Sequence, residues 1–330
     1  MSLLRFGLIG FGRFGKHYAR LLQIIPGVEL VAVCTSTKES FLTSANDFSS
    51  SVTITTDVTK IFDDQTINCV IIATPLVTHF DLIMSALKSD KHVLVEKPMV
   101  LTVKQSQIVK KAVASQRKVF MVGFQYIYND CIKYLQATLS NLGNIHYIKG
   151  EFLYCSPIRS DVGCFQDAGV HYLAILEYFF PEQQFNAFGA SHSIVKSERD
   201  DFTSVTLKYK NGLTVALTTS WFWPEKVRKI TIVGEKGMAV FDDQSQHDKL
   251  NLWKLSYPNV SSINKYCSQI VDFEKESVIV KPAINIRESL LNEIEHFIQC
   301  VQTGAKPITE ISFACRVTEA CENILQHNNL

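Results

Sequence analysis

Apolar runs and helical stripes alternate through the first third of the chain. Phe6 to Ile9 is a short apolar strand, Lys16 to Ile25 carries Tyr18, Leu21, Leu22 and Ile25 at helical spacing, and Leu30 to Cys34 is a second strand closed by polar Thr35 to Lys38. Cys69 to Ala73 is another wholly apolar strand, followed by Phe80, Ile83, Met84 and Leu87 on one helical face. Val93 to Val95, a helix over Ser106 to Ser115 and a strand over Val119 to Val122 continue the series. Unbroken apolar strands between amphipathic helices predict a mostly parallel sheet covered on both faces, a doubly wound α/β domain.

Beyond Gly123 the period changes. Ile145 to Phe152, Thr203 to Tyr209, Thr214 to Ser220 and Lys229 to Val233 alternate or run β-rich, with turn signals at Lys210-Asn211-Gly212 and Gly234 to Gly237. A helix over Asp167 to Phe180 and another over Glu288 to Val301 accompany them. The expected second domain, 123–330, is therefore α+β on a largely antiparallel open sheet, after a first domain spanning 1–122. The polar stretch from Gln244 to Val280 has no clear pattern, and it is expected to be mobile or to serve an oligomer contact.

A length of 330 residues fits two cores. Lys plus Arg number 33 against 32 Asp plus Glu, so net charge invites neither nucleic acid nor an anionic membrane. The nine cysteines form no CxxC pair and are odd in number, which argues against a disulfide framework and a zinc site. MSLLRFGLIGFG resembles neither a signal peptide nor an anchor, and no apolar stretch reaches the ~20 residues of a membrane span. A cytoplasmic protein with no metal is expected.

Gly10, Gly12 and Gly15 form G-x-G-x-x-G between a strand and a helix, the context of a Rossmann dinucleotide site. Arg13 and Phe14 lie inside that turn. The second strand ends in Thr35, Ser36 and Lys38 with no carboxylate for a ribose, so NAD and NADP both remain open, with a lean to NADP. Thr74-Pro75 should border the nicotinamide, and His79 either touches ligand or starts the next helix. In HVLVEKPM the strand runs straight into Glu96, Lys97 and Pro98. Lys97 is either a surface lysine or a cation projecting into the crevice, where it would orient and polarise a substrate oxygen. Asp167 and His171, four apart, share a helical face: a cap and a core histidine, or a carboxylate beside a general base.

The G-x-G-x-x-G turn, ATPxxxH, VLVEKP and DxGxH, in this order, resemble the Gfo/Idh/MocA oxidoreductases over essentially the whole chain. That resemblance implies hydride transfer between NAD(P) and a secondary alcohol of a sugar or cyclitol. Lys97 then matches the catalytic lysine, Asp167 a substrate-binding carboxylate and His171 the general base. It also implies a homodimer or homotetramer through the second sheet. Ser220 to Asp243 looks like the stretch found in relatives acting on nucleotide-linked sugars, with Lys226 and Arg228 facing a phosphate or carboxylate, or pairing with Asp242 and Asp243. Gln125 and Tyr126 stand beside Ile127, where relatives commonly carry arginine, and Ala174 replaces a common acid; both depart from ordinary substrate contacts. Two rivals are a dinucleotide-sensing regulator on the same scaffold, and a transient-oxidation glycosidase or epimerase.

Overall fold

The computed structural model describes residues 3–37, 51–155, 158–195, 199–254 and 279–327. Lys38 and most of the unpatterned 244–280 stretch lie outside them. Strands β1 (Leu4–Ile9), β2 (Val28–Cys34), β3 (Thr53–Thr55), β4 (Cys69–Ile72), β5 (His92–Glu96) and β6 (Phe120–Gly123) pair in parallel, in the order β3-β2-β1-β4-β5-β6. Helices α1 (Arg13–Leu22), α2 (Thr59–Phe62), α3 (His79–Lys88) and α4 (Val103–Ala114) form the crossovers. The central strands are apolar throughout because both faces are covered; Val93, Leu94 and Val95 are all 0% exposed. Strand order reverses between β1 and β4, which opens a crevice beyond their carboxyl ends.

The helix expected from Lys16 begins earlier, directly after Gly12, and that from Ser106 begins at Val103 because the Thr102 side chain accepts from the Gln105 amide as an N-cap. After α5 (Asp130–Thr138), the second sheet gathers β7 (Ile145–Leu153), β8 (Phe185–His192), β9 (Phe202–Tyr209), β10 (Thr214–Ser220), β11 (Val227–Gly234), β12 (Gly237–Asp242), β13 (Leu250–Lys254) and β14 (Ile279–Val280). Their order is β14-β13-β12-β11-β7-β10-β9-β8, antiparallel except where β10 joins β7. In β12 buried and half-buried positions alternate strictly, as a sheet with one covered face requires. The covering helix is α6 (Val170–Phe179), whose Tyr172 hydroxyl reaches the Glu151 carbonyl at 2.6 Å.

The helix expected from Asp167 opens as a wider π turn over Phe165–Gly169. The Phe165 ring lies against Gly169, where a Cβ would stand 2.6 Å from it, so the backbone widens around a packed aromatic ring. Arg228 lies on β11, whereas Lys226 sits just before the strand begins.

Two last helices, α7 (Ser289–Thr303) and α8 (Ile311–His327), return to the first sheet. Phe297 packs edge-on to Phe6 at 6.2 Å, Phe313 meets Phe124 at 5.6 Å, and Thr309 exchanges hydrogen bonds with the Val122 backbone at 3.0 and 2.7 Å. The chain's end thus buries part of its beginning, with each fully enclosed Phe contributing about 1.5–3 kcal/mol.

Candidate active site

The glycine turn leaves β1 at Gly10 with φ +98°, where a Cβ would lie 2.4 Å from the Ala73 carbonyl oxygen. Gly15 packs as tightly, a Cβ there falling 2.1 Å from the Gly10 carbonyl oxygen. Gly12 differs: nothing lies within 4 Å of its Cβ position, and no side chain caps the helix it starts. Open space before uncapped amides, with Arg13 beside them, is what a diphosphate needs, so the turn fits a dinucleotide. Thr35 is buried with its amide bonded to the Thr55 carbonyl at 2.9 Å, and Ser36 is exposed at the end of β2.

Next to this turn a cavity of about 360 Å³ joins the two sheets. From the first come Arg13, Phe14, Thr74, His79, Glu96 and Lys97; from the second half come Gln125, Tyr126, Asp167, His171 and Arg228. Gly10, Gly12, Gly15, Thr35, Ser36, Pro75 and Lys226 do not line it. A larger cavity, about 630 Å³, lies by the Glu177–Arg316 ion pair between α6, α8 and the β8–β9 hairpin. The smaller one gathers the candidate residues Lys97, Asp167 and His171.

Lys97 directly follows β5, and its own bond to Pro98 is cis. Its ammonium donates to the Asp167 carbonyl at 2.7 Å and to Asp167 Oδ1 at 3.3 Å. That carboxylate also receives Arg159 Nη1 at 2.9 Å and the Tyr154 hydroxyl at 3.1 Å. Burial alone would raise the Asp167 pKa, but the Lys97 and Arg159 charges outweigh it and hold the group well below the usual carboxylate range. The His171 ring stacks on Phe152 with centroids 5.5 Å apart and meets Tyr126 edge-on at 5.1 Å. Burial, reinforced by Lys97, pushes His171 well below its ordinary value, so the imidazole is neutral near neutral pH. Its Nδ1 is buried with no partner among the described residues.

His79 is nearly fully buried, with its ring nitrogens 2.9 Å from the Pro98 carbonyl and 3.0 Å from the Thr74 carbonyl. It ties together the two turns that edge the crevice. Arg228 lies over the Phe152 ring at 4.6 Å and shares Tyr126 with Asp243, while Lys229 approaches Asp242 at 3.8 Å. Lys226 is exposed, and its pKa is lowered chiefly by the Arg228 charge.

Sequence reasoning missed Arg159, Tyr154 and Phe152. Arg159 grips Asp161 through Nε and Nη2, at 2.9 and 2.6 Å, while Asp161 Oδ2 accepts the Leu76 amide at 3.3 Å. One arginine therefore links Asp167 to the turn bordering the crevice. The only signal was an Arg and an Asp two apart in a loop beside a glycine, which many surface loops share.

A parallel sheet ordered 3-2-1-4-5-6, a glycine turn shaped for a diphosphate and a lysine-histidine cavity define a dinucleotide-dependent oxidoreductase. Comparison with known proteins agrees. Residues 4–124 match a family model described as an oxidoreductase family with an NAD-binding Rossmann fold, and residues 140–240 match the GFO/IDH/MocA C-terminal domain. The chain belongs to the Gfo/Idh/MocA oxidoreductase family. It is 24% identical over 327 residues to scyllo-inositol 2-dehydrogenase (NAD(+)) of Bacillus subtilis (strain 168), covering 92% of this chain and 88% of that protein. Its fold matches UDP-N-acetylglucosamine 3-dehydrogenase GnnA from Acidithiobacillus ferrooxidans with a TM-score of 0.83 at 19% identity, over 99% of this chain and 98% of that one. It also matches levoglucosan dehydrogenase in complex with NADH and L-sorbose, with a TM-score of 0.80 at 20% identity, over 99% and 96% of the two chains. Among the described residues no helix is long and apolar enough to cross a membrane.

Proposed function

We propose that the protein transfers hydride between a nicotinamide dinucleotide and a secondary alcohol of a sugar, cyclitol or sugar nucleotide. The observation that carries this reading is the convergence of Lys97, Asp167 and His171, from two sheets, on one cavity beside the glycine turn. The dinucleotide, when bound, supplies the hydride acceptor or donor. Gly10, Gly12, Arg13, Phe14 and Gly15 hold its diphosphate, Thr35, Ser36 and Lys38 its adenine ribose, and Thr74, Pro75, His79, Glu96 and Lys97 border its nicotinamide. Thr35, Ser36 and Lys38, in place of a ribose-binding acid, favour a 2′-phosphate.

In the oxidation direction neutral His171 takes the hydroxyl proton, and Lys97 donates a hydrogen bond to the same oxygen, stabilising its developing charge. Asp167, kept ionised by its cations, aims the Lys97 ammonium. Gln125, Tyr126 and Arg228, which line the cavity, contact the substrate, exposed Lys226 meets only a substrate that extends out of it, and residues 1–122 and 123–330 act as cofactor and substrate domains. The exposed Tyr147 and Phe188 on the second sheet support that sheet as the self-association surface of a dimer or tetramer.

The test is a titration with NADH and NADPH, followed by turnover of a panel of cyclitols, sugars and sugar nucleotides in wild type, Lys97→Met and His171→Asn. Turnover of one class that both substitutions abolish, with cofactor binding retained, supports the reading. Cofactor binding without turnover of any of the three classes indicates a sensor and defeats it.

A further inference from the structure

A cluster of buried acids lies just behind the cavity. Tyr18, on α1 and wholly enclosed, places its hydroxyl oxygen 2.8 Å from Glu96 Oε1 and 2.9 Å from Glu293 Oε1. Glu96 ends β5 and lines the cavity, whereas Glu293 arrives from α7 and is 0% exposed. Gly123 seals the cluster: a Cβ there would stand 3.0 Å from Glu293 Oε1 and 3.1 Å from the Tyr18 hydroxyl.

Counting hydrogens constrains the charges. A phenol has one hydrogen and can donate to only one carboxylate. The other short O···O contact is a hydrogen bond only if that carboxyl carries its own proton. The surroundings decide which acid does so. Glu96 Oε2 accepts the Lys97 amide at 3.1 Å, and the charges of Lys97 and Arg159 favour its anion. Glu293 Oε2 is buried with no partner among the described residues, and the charged or titratable groups acting on Glu293 are Glu96 and Tyr18, with Tyr128 nearby. An ionised Glu293 would bury a charge with one oxygen unsolvated and no cation opposite it; a neutral acid leaves only a bare carbonyl oxygen, a far smaller cost.

We propose that Glu293 is held as a neutral acid that donates to the Tyr18 oxygen, so that Tyr18 gives its one hydrogen to Glu96 and fixes that carboxylate, as an anion, against the Lys97 backbone. Tyr18 and Glu293 are then positioning residues acting from behind the cavity wall. Burial and the Glu96 charge both push the Glu293 pKa well up; burial also raises Glu96, but there the charges of Lys97 and Arg159 oppose it, whereas no cation opposes it at Glu293. The assignment of the proton stands on packing alone, while its bearing on turnover rests on the proposed reaction.

The test needs no substrate. The infrared spectrum of the wild-type protein near neutral pH should show the carbonyl stretch of a buried protonated carboxylic acid, absent from Glu293→Gln and retained in Glu96→Gln. Glutamine keeps a donor for Tyr18, so the fold should tolerate it. Thermal melts give a second readout. A folded-state pKa raised above the ordinary value near 4.5 confers stability that is full below that value and declines as pH rises. Glu293→Gln lacks the decline, so it should gain on wild type by a few degrees towards alkaline pH. Loss of the band in Glu96→Gln but not in Glu293→Gln would move the proton to the wrong acid and overturn the proposal, as would a wild-type spectrum without the band. If a variant does not fold, a wild-type spectrum without the band still overturns the proposal. Tyr18→Phe should lower kcat several-fold and shift its pH profile, which a purely structural tyrosine would not do.

Discussion

Asp167→Asn isolates the charge at the centre of the site. Shape and hydrogen-bond count are conserved. An amide oxygen in place of Oδ1 still accepts from Lys97 and Arg159, and the amide nitrogen can donate to the Tyr154 oxygen, which already accepts from Trp221 at 3.1 Å. What is lost is the charge assistance of two hydrogen bonds, about 1 kcal/mol each. The larger penalty of a stranded buried cation, about 3–5 kcal/mol, does not apply in full. Arg159 keeps Asp161 and Lys97 keeps the Asp167 carbonyl, at 2.6 and 2.7 Å. A destabilisation of about 2 kcal/mol near neutral pH follows. It should depend on pH with a defined sign. The native carboxyl titrates below its ordinary 3.8, so its contribution is present above that value and disappears as pH falls through the native pKa. Urea unfolding of both proteins at neutral and progressively acidic pH should show the gap closing. A gap that stays constant into acid would refute the reasoning, because the cost would then be one of packing. On the proposed function kcat should fall by roughly a hundredfold, since the Lys97 ammonium loses the anion that aims it.

His171→Asn should cost about 10²–10⁴ in kcat with little change in cofactor Kd; because burial lowers the His171 pKa, the acid limb of the wild-type pH–rate profile should lie below 6.5. Gly12→Ala and Gly10→Ala should part company: with open space around Gly12 the first melts like wild type but binds dinucleotide weakly, whereas at φ +98° and 2.4 Å from the Ala73 oxygen the second loses stability outright. Arg159→Lys should rescue little of the loss in Arg159→Met, roughly tenfold in kcat, because an ammonium cannot span Asp161 and Asp167 together as the guanidinium fork does.

Legibility followed range. The inner strands of the first sheet and β6 were visible because burial leaves an unbroken apolar run, and the glycine turn because its steric demands act within six residues; the short, partly exposed edge strand Thr53–Thr55 has no such run and was missed. Lys97, Asp167 and His171 could be named as candidates from local context, but nothing local showed that the Lys97 ammonium would reach across to Asp167. The helix at Asp167 was legible as a helix, not as the π turn that Phe165 and Gly169 impose. His79 illustrates the ambiguity: a histidine opening a helix looks the same whether it meets ligand or two backbone carbonyls.

The sequence by itself determined the layers, the dinucleotide turn and the family, because periodicity, glycine geometry and short motifs are properties of neighbouring residues. Tertiary structure alone decided which charges meet. Arg159 joins Asp167 to the Leu76 turn, and Glu293, 275 residues from Tyr18, closes a hydrogen-bond chain behind Glu96. Such pairings depend on where α7 and the loop after β7 cross the first sheet, and in a buried site of low dielectric those crossings set the protonation of each group.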